Sequence, residues 1–154
     1  MTIALEHPLS TTDPSTLVEP DTMQRLAARI VKDHPEIDVP TAHRIIGQTA
    51  GFLAASASAP GRTLSPSEPV DIGWHTWILH TVDYASFCQR VAGYFIHHVP
   101  TAGAKRPEGG PKAALQRTMN AIMAAGYTVD TALWPEIADC SQCHAGCSNS
   151  PKSK

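Results

Sequence analysis

The pattern that decides the fold lies in residues 81–98, which read TVDYASFCQRVAGYFIHH. One stripe recurs there at the spacing of a single α-helical face: Tyr84, Phe87, Cys88, Val91, Phe95 and His98. Thr81 or Asp83 can cap its start. The Val99-Pro100 pair closes it, because the residue before a proline disfavours the helical region. The sequence therefore predicts one amphipathic helix through residue 98.

Four further segments show helical periodicity. Working outward, we predict helices over residues 67–79, 38–59, 21–34 and 111–125, with a short final turn over 130–134. No segment alternates as a strand would, and no internal repeat is visible. The sequence predicts an all-α protein, a single bundle of about five helices with a Cys-rich C-terminal tail.

The chain divides into three regions by composition. Residues 1–19 are polar and proline-punctuated, and we expect a flexible N-terminal lead-in. Residues 20–134 form the helical domain, and residues 135–154 a Cys/His-rich metal-binding tail. Hydrophobic residues make up 42% of the 154, which suffices for one core.

Charge and hydropathy exclude two classes of partner. The formal net charge is −2, so no basic excess is available to bind phosphates, and we expect no nucleic-acid partner. No stretch approaches the ~20 apolar residues of a membrane span, and the start does not read as a signal peptide. We therefore expect a cytoplasmic protein with reduced thiols and no membrane partner.

The tail carries the densest cluster of metal-ligand residue types. Cys140, Cys143 and Cys147 fall within eight residues, and a short loop can bring them onto one ion. Thiolate and imidazole are the ligands of tetrahedral zinc. The fourth ligand can be His144, a histidine of the helical body or a water. The sequence thus predicts zinc first and iron second.

Two other cofactors fit parts of the same pattern. The run Cys140-Ser-Gln-Cys143-His144 matches the c-type haem attachment pattern, but covalent attachment of haem takes place outside the cytoplasm and would leave Cys147 without a role. An iron–sulfur cluster is the better rival, since Cys88 would complete a set of four cysteines.

A second group of candidate ligands lies in the helical body. Asp71 and His75 are i, i+4 neighbours, so the carboxylate can orient the imidazole toward a metal. In an antiparallel pair of helices turning near residue 81, Cys88 lies level with His75, which predicts a buried polar pocket. His98 lies ~15 Å beyond Cys88 along a straight helix. The two can share an ion only if that helix breaks.

Several of these residues resemble a known family. Pro69-Val-Asp71-Ile-Gly-Trp74-His75, followed by Leu79, Tyr84, Cys88 and His98-Val-Pro100, resembles the glycine-rich domain-containing protein-like family over about residues 65–100, in particular its small actinobacterial members. The resemblance implies a helical domain. In that family a second histidine usually stands two residues after the Trp-His pair, where this chain has Trp77.

The sequence leaves three functions open. The first is a metal-binding accessory or binding module that acts with an unidentified small molecule or protein. The second is a small metalloenzyme with an open coordination position. The third is a sensor that uses the tail cysteines as redox-active thiols. The candidate metal ligands are His75, Cys88, His98, Cys140, Cys143 and Cys147.

Overall fold

The computed structural model describes residues 11–100 and 107–135. Five α-helices follow one another in these residues: α1 Pro20–Asp33, α2 Val39–Ser58, α3 Glu68–Leu79, α4 Thr81–Val91 and α5 Gly110–Ala124. Short 3-10 helices occur at Pro14–Leu17 and Thr131–Leu133. Extended backbone pairs in the described ranges at one isolated bridge, between Thr12 and Tyr127. The all-α prediction is confirmed.

Helix α2 is the centre of the structure. The Asp38 side chain caps it by accepting from the Thr41 amide at 2.9 Å, and Pro40 occupies the first turn, where its missing N–H is harmless. The segment from Ile45 to Ala55 is buried throughout, because α1, α3, α5 and the first 3-10 helix all pack against it. Among the helices of the described residues, none has the length and apolarity to cross a membrane.

Helix α3, which carries the candidate site, lies unusually close to α2. Gly73 faces Thr49, whose hydroxyl donates to the Ile45 carbonyl at 2.8 Å and lies 3.2 Å from the Val70 carbonyl. A Cβ at Gly73 would overlap the Thr49 hydroxyl and lie 2.9 Å from the Ile45 methyl carbon. The absence of a side chain at Gly73 therefore sets the distance between the two helices.

We expect Gly73→Ala to lower the free energy of unfolding by about 1–3 kcal/mol, because overpacking outweighs the better helix propensity of alanine. Urea unfolding followed by tryptophan fluorescence measures this change. Thr49→Ala in the Gly73→Ala background should recover part of the loss, whereas Thr76→Ala, which removes a similar threonine-to-backbone bond, should recover none. Equal effects of the two threonine substitutions would contradict the close-approach argument.

The segment after α5 is held on α2 by one buried glutamine. The Gln48 amide nitrogen donates to the Thr128 carbonyl at 3.2 Å. Its oxygen accepts from the Asp130 amide at 3.1 Å and from the Trp134 indole at 2.9 Å. Arg44 adds an ion pair to Asp130 at 2.6 Å. These bonds fix the path of the chain to the end of the described region.

The hydrogen bond from the Arg44 guanidinium holds the pKa of the Asp130 carboxyl below its ordinary value. A folded-state pKa below the unfolded value stabilises the fold at neutral pH, and this contribution is lost as the pH falls through the folded-state pKa.

Asp130→Asn should therefore destabilise the protein at pH 7, and the difference from the unsubstituted protein should shrink below about pH 4, where carboxyl groups take up protons. Urea unfolding at several pH values tests this. Asp21→Asn on the exposed face of α1 is the matched control for the loss of a carboxylate. A difference that grows on acidification would refute the assigned role of the pair.

Two boundaries differ from the sequence prediction. Helix α4 ends at Val91 instead of continuing to residue 98, because Gly93 takes a left-handed conformation with φ of +76° directly after Ala92. The folded part also begins before residue 20: the 3-10 helix Pro14–Leu17 packs on α2, with Pro14 buried. The chain therefore turns away from the α4 axis before it reaches His98.

Candidate metal site

The segment that follows Gly93 returns to α3 and is anchored there by a buried tyrosine. The Tyr84 hydroxyl donates to the Ile96 carbonyl at 2.6 Å and accepts from the Trp74 indole at 2.8 Å. Burial raises the pKa of Tyr84, so the hydroxyl keeps its proton and remains a donor at every physiological pH. Ile96, 9% exposed, enters the core beside these groups.

His98, two residues further on, meets two side chains of α3. Its Nε2 lies 3.1 Å from Asp71 Oδ1, and the other carboxylate oxygen lies 3.6 Å from His75 Nδ1. The two imidazole rings are 4.5 Å apart between centroids. One ligand atom from each of the three side chains can be chosen so that all lie within 4.8 Å of one another.

Local sequence explains how α3 presents its two residues. Ser67 caps the helix by accepting from the Val70 amide at 3.3 Å, which places Asp71 in the first turn, where the helix dipole favours a carboxylate. His75 follows one turn later on the same face. Both side chains therefore project from a well-fixed helix toward the returning segment.

The cluster lies at the surface with one protected side. The His98 side chain is 17% exposed, that of Asp71 37% and that of His75 58%. The Trp74 ring covers His98, with the ring centroids 4.3 Å apart. Solvent thus reaches the cluster from the His75 side, while the indole closes the side that faces the core.

Two imidazoles and one carboxylate are a ligand set that zinc and non-haem iron both accept. Metal–ligand bonds of about 2.0–2.2 Å place neighbouring ligand atoms roughly 3–3.5 Å apart. The separations of 3.1 Å from His98 and 3.6 Å from His75 are close to this, but they are to the two different oxygens of Asp71. With one atom taken from each side chain, the three ligand atoms lie within 4.8 Å of one another, so the side chains would move closer together to share one ion. Without an ion, the same arrangement is a carboxylate that bridges two imidazoles.

The structure brings together His75 and His98 of the sequence-predicted ligands and separates Cys88 from them. Cys88 is fully buried in the hydrophobic core, and it is not part of the cluster. The predicted buried pocket shared by His75 and Cys88 is wrong, since more than half of the His75 side chain is exposed. Cys140, Cys143 and Cys147 lie outside the described residues.

Sequence reasoning missed the full role of two residues. Asp71 was expected to orient a histidine, whereas its carboxylate contacts both imidazoles and is itself a candidate ligand. His98 is one of the predicted ligands, but a straight α4 would place it ~15 Å beyond Cys88; the end of the helix at Val91 allows it to reach Asp71 and His75. Gly93 was the available signal, since glycine after a helical turn commonly ends the helix.

The fold and the cluster together describe a small all-α protein that carries two histidines and one carboxylate close together at its surface. The chain belongs to the UCP032817-like family, whose model matches residues 15–127. That range contains all three cluster residues and ends before the tail cysteines. No curated protein and no solved structure matches the chain.

The resemblance to the glycine-rich domain-containing protein-like family is corrected by this match. The family model spans the Trp74-His75 pair, Tyr84 and His98, so the residues that carried the resemblance lie within a UCP032817-like domain. The family prediction made from the short stretch 65–100 is therefore wrong.

Proposed function

We propose that this protein binds one transition-metal ion, zinc first and iron second, through Asp71, His75 and His98. The observation that carries the proposal is the convergence of three metal-ligand side chains from two separate segments within 4.8 Å. Two neutral imidazoles and one carboxylate leave a divalent ion with a net charge of +1, a balance found in carboxylate–histidine metal sites.

Exposure of the cluster supports an accessible metal position. Structural zinc is normally closed by four protein ligands, whereas catalytic zinc keeps one position for water or substrate. The described residues offer three ligands, and the half-exposed His75 side leaves room for a further one. The ion would thus be held by a binding module that presents it to a small molecule or protein, or, as the alternative, would act as a Lewis acid in a small metalloenzyme.

We expect the protein to bind one equivalent of Zn²⁺ or Co²⁺. Asp71→Asn, His75→Ala and His98→Ala should each weaken binding by at least about tenfold, since even loss of a residue that only orients a ligand costs 10–100-fold. Titration calorimetry and elemental analysis of dialysed protein measure this. The experiment is done with Cys140, Cys143 and Cys147 replaced by serine, so that thiolates do not bind the added metal.

His43→Ala is the matched control, because His43 is an exposed histidine on α2 outside the cluster. It should leave the affinity unchanged. If the serine-tail protein binds no stoichiometric metal, or if His43→Ala weakens binding as much as His75→Ala, the cluster is not the metal site.

The tail cysteines are a second candidate, which stays a prediction from the sequence. The path of the chain supports a role beside the cluster: the Leu133 carbonyl accepts from the Ser67 hydroxyl at 2.6 Å, and Ser67 is the residue that caps the helix of Asp71. The last described residues thus lie near the start of α3. A tail thiolate as fourth ligand would give a closed site, and free tail thiols would leave the redox-sensor alternative open.

Co²⁺ distinguishes these arrangements, because thiolate ligands add intense near-ultraviolet charge-transfer bands that imidazole and carboxylate do not give. We expect such bands with the natural tail and their loss when Cys140, Cys143 and Cys147 become serine. Replacing Cys88 by serine is the control for the remaining thiol, which is buried in the core. Charge-transfer bands that survive the tail substitution would exclude the tail as a ligand source.

The remaining expectations belong to the same proposal. A reducing cytoplasmic location suits a chain whose only described cysteine, Cys88, is free. A partner that approaches the ion would be a small molecule or a protein, since the net charge of −2 disfavours nucleic acid.

A further inference from the structure

Of the three candidate ligands, His98 is the one that no helix holds. Asp71 and His75 belong to α3, whereas His98 follows the left-handed turn at Gly93 in residues without regular secondary structure. A histidine on such a segment needs a separate anchor if it is to stay within 3.1 Å of Asp71. The anchor therefore decides whether the three candidate ligand side chains remain together.

The anchor nearest in sequence is the bond at Ile96. Its carbonyl accepts from the Tyr84 hydroxyl at 2.6 Å, the shorter of the two bonds that this hydroxyl makes. Tyr84 is fully buried, so no water replaces the bond without opening the core. The bond fixes the backbone two residues before His98.

The second bond of the same hydroxyl leads back to the site. Tyr84 accepts from the Trp74 indole, and the Trp74 ring lies against the His98 ring with centroids 4.3 Å apart. Trp74 directly precedes His75 on α3. One hydroxyl therefore connects three elements: α4, the returning segment and the helix that carries the other two ligands.

We propose that Tyr84 is a positioning residue for the metal site, whose hydroxyl ties the returning segment to Trp74 and so holds His98 against Asp71. The part of this inference that concerns the ion rests on the proposed function; the part that concerns His98 does not. Tyr84 touches no ligand atom of the cluster in the described structure and acts through Ile96 and Trp74.

Tyr84→Phe is the direct test, because it removes the hydroxyl and keeps the ring. In metal-free protein, the ring protons of His98 should lose the NMR shift caused by the facing Trp74 ring. In metal-binding protein, the affinity for Co²⁺ should fall about tenfold, as expected for the loss of a buried hydrogen bond that orders a ligand, and the visible Co²⁺ spectrum should change.

Tyr94→Phe is the matched control. It makes the same chemical change in the returning segment itself, at a tyrosine that is half exposed. It should leave the His98 signals and the Co²⁺ spectrum as they are. Thermal unfolding of all variants separates stability from positioning, since a purely structural Tyr84 would lower the melting temperature without moving His98.

The two parts of the inference fail separately. Binding of no metal by the unsubstituted protein, together with displaced His98 signals in Tyr84→Phe, overturns the proposed function and keeps the positioning role. Unchanged His98 signals in a folded Tyr84→Phe overturn the positioning role whether or not metal binds.

Should Tyr84→Phe fail to fold, hydrogen exchange of the unsubstituted protein replaces it. Added Zn²⁺ should then protect the Trp74 indole N–H more than that of Trp134, which bonds to Gln48. Equal protection of the two indoles in protein that binds the added Zn²⁺ would overturn the positioning role, whereas an absence of Zn²⁺ binding would overturn the proposed function.

Discussion

The close approach of α2 and α3 is the constraint on which the rest of the structure depends. It exists because position 73 has no side chain and because the Thr49 hydroxyl fills the space that a Cβ would take. Gly73 directly precedes Trp74, whose indole donates to the Tyr84 hydroxyl, so this contact positions the helix that carries the tie to the returning segment. The geometry of the cluster therefore starts at a close helix–helix contact at Gly73, two residues from both Asp71 and His75.

Most of the fold could be predicted from local chemistry. The caps at Asp38 and Ser67 and the prolines just after them mark the helix starts, and the observed boundaries agree to within a residue or two, except at α4. There, periodicity was misleading because the chain after Gly93 returns as a coil and not as a continuing helix. Ile96, which lies off the predicted stripe, is buried, while Phe95 within the stripe is partly exposed. A helical spacing of apolar side chains in the sequence indicates which residues can be buried, but it does not establish the backbone conformation in which they are buried.

The site could be predicted only in part for the same reason. Asp71 and His75 are one turn apart on one helix, so spacing alone places them together. His98 reaches them through a change of chain direction, which depends on a left-handed glycine and on one buried hydroxyl. Cys88, whose spacing also suits a ligand, lies on the inner face of α4 in the hydrophobic core, as small apolar thiols usually do, and outside the described cluster.

Stability alone does not account for the cluster. Ion pairs between exposed side chains contribute ~0–1 kcal/mol, and two of the three residues here are more than a third exposed. Three features of the fold nevertheless keep these side chains in contact. The first turn of α3 favours the Asp71 carboxylate, the Trp74 ring covers His98, and Tyr84 holds the returning segment. Arg44 and Asp130 form a comparable surface pair that simply attaches a segment to α2. The Asp71 cluster joins His98 to α3 two residues beyond the point where Tyr84 already holds the returning segment, and this small structural gain is why we propose a chemical role for the cluster.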